Sequence, residues 1–253
     1  MKESTAPKAI TWNLLTTLLV TAGIFFGGQI IGAGLLSIVL GFFGVSSEQI
    51  AKIYSSSTLS QFTLMITVDI AMFLLLFWFI RARKSSLQAL GLIRPKLRDG
   101  LYVLAGAVIY FSASALLSSV VAKLIPALNL DQQQQIGFQQ ASSAPQLVLV
   151  FIALVIFPPF VEELVFRGFL FSGLKTKLPL VFAAPLTSVI FAAPHLQIGS
   201  GEPLLWTAFI DTFILSLVLV SLRIKTGNLW TSIGLHALKN GVAFTALFIL
   251  KLA

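Results

Sequence analysis

The sequence contains no cysteine and few charged side chains. The absence of cysteine excludes disulfide bonds, thiolate nucleophiles and cysteine-ligated iron–sulfur clusters. Only 10% of the 253 residues are charged and 57% are hydrophobic, whereas an average soluble domain has about 25% charged residues. So few polar side chains cannot cover a surface that faces water, and such high hydrophobicity excludes an intrinsically disordered chain. We therefore predict a membrane protein with several spans.

Several motifs of common enzymes are also missing. The chain has two histidines, and neither belongs to a His-Glu-x-x-His helix of the kind that binds zinc in many metalloproteases. There is no Gly-x-Ser-x-Gly turn of serine hydrolases and no glycine-rich phosphate-binding loop. Neither Asp69 nor Asp211 lies in the Gly-x-Gly-Asp context expected of an intramembrane aspartyl protease. These absences remove the most frequent hydrolase signatures.

The apolar runs predict an all-α fold, a polytopic transmembrane helical bundle of seven spans. A bilayer core about 30 Å thick needs roughly 20 apolar residues per helix. The first run could form about 54 Å of helix. It is therefore either one tilted helix or a helix broken near Gly27, Gly28 and Gly32, which would give eight spans. The predicted spans cover residues 10–45, 61–80, 101–124, 146–174, 178–195, 203–222 and 228–250.

The net charge of +8 does not indicate a nucleic-acid partner, because most basic residues lie in short loops between apolar runs. In the seven-span arrangement, twelve basic residues fall on one side of the membrane and three on the other. Cytoplasmic loops are enriched in Lys and Arg, so we expect a cytoplasmic N-terminus and a location in the cell (cytoplasmic) membrane. The basic segment 81–99 is expected to contain a short helix at the membrane interface.

A small group of ionisable residues lies within the predicted spans. Each charged group costs about 3 kcal/mol at the centre of a bilayer even on lenient scales, so these residues are candidates for a functional site. Two of them, Asp69 and Asp211, are weaker candidates, since either could pair with Lys239 in a structural bridge. The group consists of Asp69, Glu162, Glu163, Arg167, His195, Asp211, His236 and Lys239.

The segment 162–167 reads Glu-Glu-Leu-Val-Phe-Arg. Glu163 and Arg167 are four residues apart and can form an ion pair on one helix face, whereas Glu162 projects about 100° away and can face a cavity. A carboxylate placed in this way can act as a general base on water. The preceding Pro158-Pro159 interrupts the backbone hydrogen bonds and can widen the site. The alternative is an ion pair that only neutralises buried charge.

Two further pairs of polar or aromatic residues share a helix face. Phe191 and His195 are four residues apart, as are His236 and Asn240. An imidazole and a carboxamide aimed at the same point could bind a metal or donate hydrogen bonds to a developing oxyanion. The alternative is that the two histidines only form hydrogen bonds between helices.

Together these motifs resemble those of the CAAX-protease and bacteriocin-processing (CPBP, or Abi) intramembrane endopeptidases, which carry Glu-Glu-x-x-x-Arg, Phe-x-x-x-His and His-x-x-x-Asn on successive helices. The chain has all three motifs in order, at 162–167, 191–195 and 236–240. The resemblance covers residues 90–253, which would form the catalytic membrane core. Residues 1–89 would hold the N-terminal spans and the basic interfacial segment.

The resemblance implies roles for six residues in the hydrolysis of peptide bonds within the membrane. Glu162 would be the general base that activates water, assisted by His195. His236 and Asn240 would stabilise the tetrahedral oxyanion. The last two of the six, Glu163 and Arg167, would orient the site.

The need for a metal stays open at the level of the sequence. Glu162, His195 and His236 could ligate a divalent metal such as zinc, because carboxylates and imidazoles are common zinc ligands. A metal-free mechanism with Asn240 as a hydrogen-bond donor is equally consistent with the same residues.

The expected function is that of an intramembrane endopeptidase that cleaves a membrane-associated protein or peptide in the lipid bilayer. The chain length is typical of a prokaryotic protein, for which a prenylated substrate is not obvious. One alternative is a non-catalytic membrane protein that binds a bacteriocin, as an immunity protein, or a sensor kinase. Another is a transporter whose Glu, His and Asp residues relay protons.

Overall fold

The computed structural model describes residues 12–126, 128, 132, 136–199 and 203–252. Within these residues the fold is all-helical, with no strand, as the apolar runs predict. The first two residues of the first predicted span and two of the twelve basic residues counted on the predicted cytoplasmic side, Lys2 and Lys8, lie outside the described residues. The helices are α1 (Leu14–Phe42), α2 (Ser47–Ser56), α3 (Thr58–Ala82), α4 (Leu97–Leu124), α5 (Ala144–Leu174), α6 (Leu180–Leu196), α7 (Trp206–Thr226) and α8 (Leu229–Ile249).

Six of these helices are long and apolar enough to cross a membrane, namely α1, α3, α4, α5, α7 and α8. The fifth predicted span corresponds to α6, which is apolar but shorter than the others. Each of the seven predicted spans thus contains a helix, and the protein is a multi-pass membrane protein. The short helix α2 joins α1 to α3 and has no buried residue.

The first apolar run is a single helix, so the eight-span alternative is wrong. Asn13 caps α1 by accepting a hydrogen bond from the backbone N–H of Thr16 at 2.8 Å. The glycines do not break the helix. They instead allow α1 to approach α3 closely. A Cβ atom on Gly32 would lie 2.8 Å from the Cα of Val68, which is closer than real Cβ contacts. We infer that these glycines serve helix packing rather than bending.

The segment between α3 and α4 forms turns and not the predicted interfacial helix. Gly91 adopts a φ of +99° and packs against the guanidinium of Arg223, where a side chain would not fit. Arg223 Nη2 donates to the carbonyl oxygen of Leu90 at 2.9 Å, and the N–H of Leu229 donates to the carbonyl oxygen of Gly91 at 2.9 Å. These bonds fix the segment to α7 and α8, and a helix through Gly91 is incompatible with them.

The central helix of the fold is α5, which contacts α1, α3, α6, α7 and α8. Every residue from Leu164 to Leu174 is buried, so this C-terminal part of α5 is enclosed by protein on all sides. Two segments of α5 are π-helical, Ile152–Ile156 and Leu164–Leu170. Such wide turns within an α-helix are rare and occur frequently at functional sites. The helix α4 packs outside α7 and α8.

Replacing Gly32 with alanine should weaken the contact between α1 and α3. The added methyl group meets the backbone of Val68, and overpacking of this kind costs about 1–3 kcal/mol of unfolding free energy. The same change at Gly34 is the matched control, since no atom lies within 4 Å of its Cβ position, and Gly34→Ala should be neutral or slightly stabilising. The measurement is unfolding in mixed micelles, and equal stability of the two variants would contradict this packing.

Candidate active site

Four of the residues predicted for the site lie together around two adjoining cavities. The first cavity has a volume of about 400 Å³ and the second about 270 Å³. Glu162 and His195 line both cavities, while His236 and Asn240 line the second. The helices that supply these residues are α5, α6 and α8. The structure therefore brings the three motifs to one place, although they are distant in the sequence.

The predicted ion pair between Glu163 and Arg167 is present. Arg167 Nη1 lies 2.8 Å from Glu163 Oε1, and both side chains are completely buried. A charged pair taken out of water is stable only when further interactions compensate its lost hydration. One such interaction is the ring of Phe191 on α6, whose centroid lies 4.1 Å from Arg167 Cζ. The phenylalanine of the Phe-x-x-x-His motif thus supports the arginine of the first motif.

A second donor to Glu163 comes from α8, and the sequence did not predict it. His236 Nδ1 lies 2.9 Å from the same oxygen, Oε1, that accepts from Arg167. Since the Arg167-paired carboxylate accepts, His236 donates through Nδ1–H. In the neutral ring this leaves Nε2 with a lone pair. The edge of the His236 ring also contacts Phe191, at 5.8 Å between centroids.

Glu162 differs from its neighbour Glu163 in its surroundings. Its side chain is 25% exposed and lines both cavities, as predicted from the rotation of about 100° between successive helical residues. Glu162 Oε2 lies 3.8 Å from His236 Nε2, which is too far for a direct hydrogen bond. A gap of this size between two polar atoms suits a bridging water molecule.

Asn240 bonds to a backbone carbonyl oxygen that Pro158 and Pro159 leave without a partner in α5. In a regular helix the carbonyl oxygen of Leu154 would accept from the N–H of residue 158, and in a π-helix from that of residue 159. Pro158 and Pro159 have no N–H, so this carbonyl lacks a partner within α5. Asn240 Nδ2 donates to it at 2.9 Å. A carboxamide has two N–H donors, and the second remains for the cavity that Asn240 lines.

His195 lies in the last turn of α6, where the helix tightens to a 3₁₀ turn over Ala193–Leu196. Its Nδ1 is buried and forms no hydrogen bond within the described residues. The ring lies 5.8 Å from that of Phe191, centroid to centroid. His195 therefore contributes an imidazole ring to the wall of both cavities.

Of the two weaker candidates, one pairs with Lys239 and the other does not. Asp211 Oδ2 lies 3.5 Å from Lys239 Nζ, and Asp211 Oδ1 accepts at 2.7 Å from each of Tyr110 and Ser114. The predicted structural bridge is thus confirmed for Asp211. Asp69 instead lines the first cavity, from α3. The sequence signal that could have placed Asp69 at the cavity is its acidic side chain in the middle of an apolar helix.

The arrangement does not fit the zinc alternative. Within the described ranges, no three or more His, Cys, Asp or Glu side chains are grouped so that they could hold a metal ion. A catalytic zinc usually needs three protein ligands. His236 Nδ1 is engaged by Glu163, and Glu162, His195 and His236 do not form such a group. We therefore derive no reaction step through a metal.

Residues 144–242 match the model of one protein family, described as type II CAAX prenyl endopeptidase Rce1-like. The match begins with α5 and ends within α8, so it contains all six residues to which the resemblance assigns a role. It confirms the resemblance to the CPBP endopeptidases and supports a protease. The helices α1 to α4 lie outside the match. Comparison with curated proteins and with solved structures found no match.

Replacing Arg167 with leucine should destabilise the protein strongly, because Glu163 would be left buried without its cation. Removing one partner of a buried pair costs about 3–5 kcal/mol. The control is the double variant Glu163→Leu/Arg167→Leu, which removes both charges and should recover part of that loss. The free energy of unfolding in mixed micelles gives the comparison. A single variant as stable as the unaltered protein would contradict the role assigned to this pair.

Proposed function

We propose that the chain is an intramembrane endopeptidase, because residues 144–242 match the family model described as type II CAAX prenyl endopeptidase Rce1-like. It hydrolyses peptide bonds of a membrane-associated protein or peptide. The observation that carries this proposal is the difference in surroundings between two adjacent carboxylates. Glu163 is fully buried and accepts from two donors, whereas Glu162 faces both cavities with a gap to His236 that suits a water molecule.

The first step is the attack of water on the scissile carbonyl carbon. Glu162 accepts a proton from the water molecule as general base, and His236 Nε2 accepts a hydrogen bond from the second proton. The water oxygen then forms a bond to the carbonyl carbon. In this scheme His236 orients the water, which differs from the oxyanion role that the resemblance implies. The reason is the Nδ1–H bond to Glu163, which leaves Nε2 as an acceptor.

The negative charge that develops on the carbonyl oxygen needs donors placed in advance. Asn240 supplies its second N–H from the second cavity, and its position is fixed by the Leu154 carbonyl. His195 supplies a further polar group at the wall shared by both cavities. The tetrahedral intermediate then collapses as the C–N bond breaks and Glu162 returns its proton to the leaving amine. The products are a carboxylic acid and an amine.

We propose the glutamate-type mechanism and not the metallo type, because Glu162, His195 and His236 do not form a group of metal ligands within the described residues. The membrane location and orientation follow the charge bias of the loops, with the N-terminus in the cytoplasm and the protein in a prokaryotic cytoplasmic membrane. The substrate reaches the site within the bilayer, since both cavities are lined by membrane-spanning helices.

Replacing Glu162 with glutamine should abolish peptide cleavage without unfolding the protein. General-base catalysis contributes about 10²- to 10⁴-fold, and the amide cannot accept the water proton. The measurement is cleavage of membrane-protein and apolar-peptide panels by purified protein in liposomes. Glu48→Gln on the exposed helix α2 is the matched control and should cleave at the original rate. Cleavage by Glu162→Gln at that rate would refute the base assignment. If cells that carry Glu162→Gln keep the phenotype of the unaltered protein and no cleavage is detected, the non-catalytic binder is favoured.

Removing divalent metals should leave the cleavage rate within about twofold, because the predicted chemistry uses only side chains of the chain. The measurement compares dialysed protein with and without a chelator, together with the zinc content of the same sample. Stoichiometric zinc combined with chelator-sensitive cleavage would contradict the glutamate-type mechanism.

A further inference from the structure

Asp69 is an acidic side chain in the middle of the apolar helix α3. Asp69 is 6% exposed, and its Oδ2 is buried without a hydrogen-bond partner among the described residues. The nearby cations have other partners, since the buried Arg167 pairs with Glu163 and the half-buried Lys239 pairs with Asp211. Most buried polar groups in proteins are hydrogen-bonded, so an exception calls for an explanation.

The position of Asp69 relates it to the proposed active site. It lines the first cavity, which it shares with Glu162 and His195. The other α3 residues around the cavity are apolar, including Met65, Val68 and Met72. The carboxyl group is therefore the one polar side chain that α3 presents to the first cavity within the described chain.

A peptide substrate brings donors that need partners in such a place. The segment to be cleaved cannot be helical at the scissile bond, so its backbone N–H groups have lost their internal acceptors. Within a membrane there is no bulk water to replace them, and non-helical backbone is tolerated only where protein or a water-filled cavity satisfies it. The carboxyl group of Asp69, which lacks a donor, is thus complementary to the peptide N–H groups, which lack an acceptor.

We propose that Asp69 is a substrate-positioning residue. Its carboxyl group accepts a hydrogen bond from a backbone N–H of the bound peptide and so holds the scissile bond near Glu162. This inference rests on the proposed function and extends it to α3, which lies outside the residues 144–242 that match the family. The N-terminal helices then take part in substrate binding and not only in the packing of the bundle.

The test measures binding separately from cleavage, in the Glu162→Gln background. The probe is a fluorescent 12-residue leucine–alanine peptide, titrated with the full-length protein in liposomes. Leaving a buried peptide N–H without its acceptor corresponds to a Kd about tenfold to a hundredfold weaker, and Asp69→Ala should show this change. Thr67→Val is the matched control on the same helix, because its hydroxyl only bonds to the Thr63 carbonyl, and its Kd should stay within twofold.

A series of peptides N-methylated at single positions identifies the donor. N-methylation at one peptide position should weaken binding to the Glu162→Gln protein by about tenfold. The same methylation should have no effect in the Asp69→Ala variant, because the methylation and the substitution remove the same hydrogen bond. The isosteric Asp69→Asn, which keeps a carbonyl acceptor, should retain part of the affinity and controls for misfolding of Asp69→Ala.

Three results would overturn the proposal for Asp69. They are equal Kd values with and without the Asp69 side chain, an N-methyl effect that does not depend on Asp69, and no binding of the peptide to the Glu162→Gln parent. Cleavage by the protein with Glu162 intact is scored separately. Failure to cleave combined with Asp69-dependent binding would refute the proposed endopeptidase and keep the peptide-binding role.

Discussion

The rest of the site depends on one shared acceptor, the Oε1 atom of Glu163. It receives Arg167 Nη1 at 2.8 Å and His236 Nδ1 at 2.9 Å in a completely buried position. A carboxylate in such a place would be costly without both donors. Because the donors come from α5 itself and from α8, and Phe191 of α6 lies against Arg167, this one carboxylate fixes three helices relative to each other. It thereby leaves the neighbouring Glu162 available for chemistry.

The irregular geometry of α5 follows from its sequence and is stabilised by its neighbours. Pro158 and Pro159 remove two backbone donors, and Asn240 replaces one of them at the Leu154 carbonyl. Interrupted backbone of this kind is tolerated in a membrane only where protein surrounds it, and α5 packs against α1, α3, α6, α7 and α8. The break in the helix and the polar site therefore occur at the same place.

Local patterns in the sequence predicted the features that depend on local geometry. The spans follow from hydropathy, and the pair Glu163–Arg167 follows from the four-residue spacing. The bond between Glu163 and His236 joins residues 73 positions apart, so helix periodicity could not predict it. Likewise, Gly32 permits either a bend or a close contact, and only the position of α3 decides between them. The turn at Gly91 depends on Arg223 in the same way.

The tautomer of His236 tests most directly whether Glu163 organises the site. With two histidines in the chain, ¹⁵N-labelled histidine gives two sets of ring signals, and a His195→Asn variant assigns those of His236. The account predicts a proton on Nδ1, hydrogen-bonded to Glu163, and a lone pair on Nε2. A proton on Nε2 with a bare Nδ1 would contradict it, since His236 would then neither donate to Glu163 nor accept from the attacking water.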